Sequence, residues 1–84
     1  MNQYYNFTFP ERPTWGLSRG FNSEAGTPEF LMELREALDD YGYLYEEWNQ
    51  VVVHAGYGGK GRPPQQETIA TIKHVGMSLE YEQG

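Results

Sequence analysis

The stretch TPEFLMELREALDDYG, Thr27 to Gly42, constrains the fold of this 84-residue chain more than any other. Thr27 offers a side-chain acceptor to the unpaired amides of a first helical turn, and Pro28 brings to that turn a preset φ and no amide to satisfy. Glu29 meets the positive end of the helix dipole, and Gly42 suits the left-handed residue that closes a helix. The pattern predicts a helix over 28–41. At about 100° per residue, Phe30, Leu31, Leu34, Ala37, Leu38 and Tyr41 share an arc of roughly 120°, an apolar stripe that needs a covering layer.

The rest of the chain must supply that layer, and its patterns favour strands. In QYYNFTF, Tyr5, Phe7 and Phe9 alternate with Tyr4, Asn6 and Thr8, the period of a strand with one buried face, and Pro10 ends it. Val75, Met77, Leu79 and Tyr81 alternate with Gly76, Ser78, Glu80 and Glu82 and predict a half-buried strand at the other end. Over 43–55, YLY and VVVHA are rich in β-formers and predict a strand or a tight hairpin. A rival continuation of the helix to about residue 50 keeps a 3-4 spacing through Tyr45 and Trp48, but buries Gly42 in the helix at about 1 kcal/mol.

QQETIATIKH reads two ways: a short second helix near 65–74, with Ile69 and Ile72 at helical spacing, or a strand pairing with 48–55. PERPTWGLSRGFNSEAG has no usable period and reads as a long loop over about 10–26, with Trp15 and Phe21 either pinning it to the core, which ring burial favours, or presented to a partner. The predicted fold is α+β: one compact domain over 1–84, with a small, mostly antiparallel sheet packed against one main helix.

Composition narrows the function. Twelve acidic residues against six basic ones give a net charge of −6, which argues against direct contact with nucleic acid or an anionic membrane through a basic surface. Cysteine is absent, so neither disulfides nor thiolate metal sites arise. No apolar run approaches the ~18 residues of a membrane span, and MNQYYNFTFPER lacks the basic start and apolar centre of a secretory signal, so the expected location is cytoplasmic.

Three motifs invite a catalytic or cofactor reading. Gly56-Tyr57-Gly58-Gly59-Lys60-Gly61 spells G-x-G-x-x-G, but a dinucleotide fingerprint opens a helix inside a larger parallel sheet, and here Arg62-Pro63-Pro64 follows. A Walker A loop fails too, because Gly61 stands where Ser or Thr should bind magnesium. The stretch reads as a connector, and no cofactor is expected. Gly16 to Gly20, GLSRG, matches G-x-S-x-G, yet a nucleophile elbow needs a strand-turn-helix and partners from a large sheet. His54 and His74 have no ligand at short spacing, so no metal site is expected.

One charge pattern remains. Glu29, Glu33, Glu36 and Asp40 stand at i, i+4, i+7 and i+11, within about 60° on the wheel and away from the apolar stripe. Glu24, Asp39, Glu46 and Glu47 lie around them, so residues 24–47 hold eight acids and one base, a net −7. Regularly spaced carboxylates suit a basic groove, where they replace phosphates against Lys and Arg. Glu29, Glu33, Glu36, Asp40, Glu46 and Glu47 are therefore the candidate partner-binding residues.

In size, acidity and lack of cysteine the chain resembles small phage-encoded inhibitors, including anti-CRISPR and other DNA-mimic proteins. The resemblance is one of composition. It implies a non-enzymatic protein, acting in the host cytoplasm, that occludes a basic, nucleic-acid-binding surface of a protein partner. The alternative is an interaction subunit that binds through an aromatic surface or a sheet edge.

Overall fold

The structure, a computed structural model, describes residues 3–56 and 67–84. Strands β1 (Gln3–Thr8) and β2 (Gly16–Phe21) precede the helix α1 (Pro28–Tyr41), and a short 3-10 turn (Tyr45–Glu47) leads into β3 (Gln50–Ala55), β4 (Thr68–Val75) and β5 (Ser78–Gln83). The strands form one sheet in the order β2-β1-β3-β4-β5, with antiparallel neighbours throughout.

α1 has the bounds and caps its sequence dictates. Thr27 accepts a hydrogen bond from the Phe30 amide, and Gly42 closes the helix at φ 80°, its amide turned back to the Leu38 and Asp39 carbonyls. The helix therefore does not run on to residue 50. Phe30, Leu34, Ala37 and Leu38 are buried, whereas Leu31 is half-buried and Tyr41, expected in the stripe, is exposed. The sheet face beneath contributes Phe7, Leu17, Phe21, Val51, Val53 and Ile72. Burying each such side chain contributes about 1.5–3 kcal/mol. Rings fill the centre: Phe21 lies 4.7 Å from Phe30, and Tyr5 meets Phe30 edge-on at 5.1 Å.

The expected loop over 10–26 contains a strand. In β2, Leu17, Arg19 and Phe21 take the helix side and Gly16, Ser18 and Gly20 the other, so a period of two is present. The sequence conceals it because the charged Arg19 occupies an inward position and two glycines lower the β-propensity. Trp15 is half-buried, stacked 4.4 Å from Tyr43, and Phe21 is core.

The second helix suggested near 65–74 is replaced by β4 over its described residues. Its β-branched residues decide the outcome, and the helical spacing of Ile69 and Ile72 has a local cause. Val53 pairs with Ala70 but His54 with Thr68, so Ile69 is one residue too many on β4, a bulge that breaks the alternation.

The predicted strand through 75–81 is interrupted as well. Val75 pairs with Ser78 across a two-residue loop, and Gly76 has the positive φ, 63°, that a primed hairpin turn requires at its first position. Val75 and Met77 are thus exposed, and the alternation holds from Leu79 and Tyr81 onward.

Candidate docking face and the open face of the sheet

The acidic row of α1 lies beside the edge strand β2, and three contacts fix that placement. Glu33 occupies the flank of the row nearest the apolar stripe. Its carboxylate accepts hydrogen bonds from the Asn22 amide at 3.2 Å, the Ser23 amide at 2.8 Å and the Ser23 hydroxyl. These bonds, the Ser23 hydroxyl first, hold the Glu33 carboxyl below the usual carboxylate range. Asp40 meets Arg19 at 3.4 Å, with both groups largely exposed, a pair worth about 1 kcal/mol or less. Beyond the end of the helix, the Tyr43 hydroxyl accepts from the Gly16 amide at 3.2 Å and donates to the Gly16 carbonyl at 3.1 Å.

The candidate residues thus divide. Glu33 is occupied in tying down the turn that enters α1, and Asp40 is occupied by Arg19. Glu29 and Glu36 are exposed and have no ion pair among the described residues; Asp39, on the adjacent outward side of the helix, is in the same state. Glu46 and Glu47 are exposed on the 3-10 turn, which docks elsewhere. Tyr45 of that turn donates to the carbonyls of Gly76 and Ser78 in the β4–β5 hairpin and lies under the Arg35 guanidinium at 4.7 Å. Arg35 projects from the other side of α1, so this pair is not continuous with the row.

The described cations are all engaged. Arg19 pairs with Asp40 and Lys73 with Glu82, Arg12 lies 5.2 Å over Trp15 and donates to the Glu47 carbonyl, and Arg35 covers Tyr45.

The sheet face opposite α1 is polar because Asn6 and Thr8, Gly16 and Ser18, and His54 alternate outward from strands whose other face is core. Together with Phe7 and Leu17 they line a shallow hollow of about 510 Å³. His54 lies between two hydroxyls, Nε2 at 2.9 Å from Thr8 Oγ1 and Nδ1 at 3.3 Å from Thr68 Oγ1, and burial lowers its pKa. Ser18 sits mid-strand rather than in a loop, and its hydroxyl donates to Asn6 Oδ1. A strand-turn-helix elbow is therefore not what surrounds it.

His74 faces the opposite side of the sheet from His54, stacked 3.8 Å from Tyr45 with its pKa lowered by burial and then by Arg35, so the two imidazoles cannot share an ion. The glycine motif, from Tyr57 to Gly61, and the cations Lys60 and Arg62 lie outside the described residues. The strand before it, β3, and the strand after it, β4, are antiparallel partners, unlike the parallel crossover of a dinucleotide fold. Compared with known proteins, the chain matches no family model, no curated protein and no solved structure.

Proposed function

We propose that this chain is a non-enzymatic acidic binding protein whose α1 face docks on a basic surface of a partner protein, a surface of the kind that otherwise holds nucleic acid. The observation that carries this reading is the asymmetry of pairing. Every described cation is engaged within the fold, whereas Glu29, Glu36 and Asp39 on α1 have no ion pair among the described residues. Such carboxylates are hydrated in the free protein and gain most from Lys or Arg presented in a fixed geometry. In this reading the protein acts by occlusion, in the manner of the small phage-encoded inhibitors it resembles in composition.

The test is capture on immobilised protein, with elution by salt and by duplex DNA. Partners held by the acidic face come off as ionic strength rises, and DNA competes for them. Capture that is indifferent to both salt and DNA would sink the reading. An aromatic or sheet-edge contact would then be favoured, and the specific feature supporting that second possibility is the exposed edge of β2.

A further inference from the structure

β2 is the outermost strand of the sheet, and its free edge is closed at both ends and open in the middle. The Tyr43 hydroxyl takes both main-chain groups of Gly16, so the Gly16 peptide groups point out of the sheet. Main-chain direction alternates along a strand, which turns Leu17, Arg19 and Phe21 towards β1 and Ser18 and Gly20 outward. Asn22 is next in phase, and its outward amide is taken by Glu33. Between these two closures the amides and carbonyls of Ser18 and Gly20 have no hydrogen-bond partner outside the sheet among the described residues. The side chains of Ser18 and Gly20 are too small to screen them, and Arg19 between them turns its charge to Asp40 on the helix side. The opposite edge, β5, carries Glu80 and Glu82, the charge by which sheet edges resist further pairing.

The helix beside this edge supplies the selectivity. α1 runs alongside β2 in the reverse sense, with Glu33 at residues 22–23, Asp40 at Arg19 and Tyr43 at Gly16. Glu36 falls between Glu33 and Asp40 in the same row. Side chains on one face of an added strand recur about every 6.6–6.8 Å, close to the roughly 6 Å rise between Glu36 and Asp40. We propose that the β2 edge, through the main chain of Ser18 and Gly20, adds an extended segment of a partner protein whose alternate residues are Lys or Arg facing Glu36 and Asp40, the latter exchanging its weak, exposed pair with Arg19 for the partner's cation. This rests on the reading of a basic partner and specifies how that partner is gripped: main-chain bonds set the register, and the acidic row selects the charge. A second copy of this chain fits poorly. It would bring another net −6, and pairing Ser18 with Gly20 of a copy sets the two Arg19 residues opposite each other.

The probe is a capped synthetic peptide alternating lysine and threonine, compared with a peptide of the same composition in two blocks and with one carrying glutamate for lysine. Binding is followed by amide NMR and hydrogen exchange of the labelled protein. The alternating lysine peptide is expected to shift and protect the Ser18 and Gly20 amides and to bind more tightly than the block peptide. Ser18→Pro removes one outward donor without touching the β1 ladder, so it should weaken the alternating peptide about tenfold or more, whereas Ser18→Ala should not. If the alternating and block peptides bind alike, with neither amide protected, the edge proposal falls while acidic-face docking stands. Should Ser18→Pro fail to fold, that protection pattern in the unaltered protein still decides. Equal protection by the glutamate peptide would overturn both the proposal and the electrostatic reading. Protection that rises with protein concentration alone would assign the edge to a second copy and overturn the proposal.

Discussion

Glu33 grips Ser23 twice, through its amide and its hydroxyl, and so fastens the end of the edge strand to the middle of the helix. A residue that belongs by spacing to a row of surface charge is thereby part of the scaffold. Glu33→Ala is expected to cost about 1 kcal/mol of stability, because it leaves the Asn22 and Ser23 amides to solvent and removes charge-assisted bonds. Denaturant unfolding measures this, and a midpoint equal to that of the unaltered protein would contradict it.

The same bond sets a pH response. The Glu33 carboxyl has a folded pKa below its ordinary value, so its contribution is complete above the unfolded pKa of about 4.3 and is lost as pH falls through the lower folded value. Glu33→Gln should flatten the stability curve below about pH 4.5 and leave the neutral region nearly parallel to the original.

The histidines act in a higher window. Burial lowers both His54 and His74, so the unfolded chain takes up protons first and stability declines as pH falls from about 6.5 through the depressed folded values. His74 Nε2 is buried and has no hydrogen-bond partner among the described residues. His74→Phe keeps a ring on Tyr45 and removes that polar atom. The variant should be as stable as the original or more so at pH 7, and should lose less melting temperature on acidification to pH 5, as calorimetry at the two pH values would show.

Packing predictions are larger. Leu34 is 0% and Leu38 3% exposed, and truncating either to Ala should cost about 2–5 kcal/mol. Leu44, 54% exposed, should tolerate the same change almost without effect, which makes it the internal control.

On the acidic face, replacing Glu29 and Glu36 together by Gln should leave the fold unchanged or slightly steadier and weaken capture of the natural partner more than about tenfold. Exchange of Glu80 and Glu82 for Gln should do little to binding. Equal capture by both double variants would reduce the row to a solubility device. The glycine motif supports a separate expectation: ATP, GTP, NAD or NADP should leave the melting temperature unchanged, since a ligand at about 100 times its dissociation constant would add about 2.7 kcal/mol.

The helix was readable to the residue because its signals are local: a cap, a proline and a glycine each act within one turn. β1 was readable for a similar reason, as its alternation is unbroken. What the sequence hid depends on partners elsewhere in the chain. β2 carries a charged residue in an inward phase, which the fold accepts because Arg19 lies at the sheet edge, exposed beside Asp40, and β4 carries a bulge whose existence is a property of its pairing with β3. The acidic row was likewise legible as a spacing. Its division into engaged and unengaged carboxylates was not, because Ser23 and Arg19 approach it through the fold.

Among the described residues α1 covers one face of the sheet only, and this also shapes how the protein tolerates change. Along β1, Tyr5 and Phe7 are sealed under α1 while Tyr4, Asn6 and Thr8 face outward, and β3 repeats the arrangement with Val51 and Val53 against Val52 and His54. A library saturating these strands should therefore survive selection for folding in a two-residue rhythm, permissive at one position and refractory at the next. The permissive positions together form a blank tray on which new recognition chemistry can be written without disturbing the helix behind it.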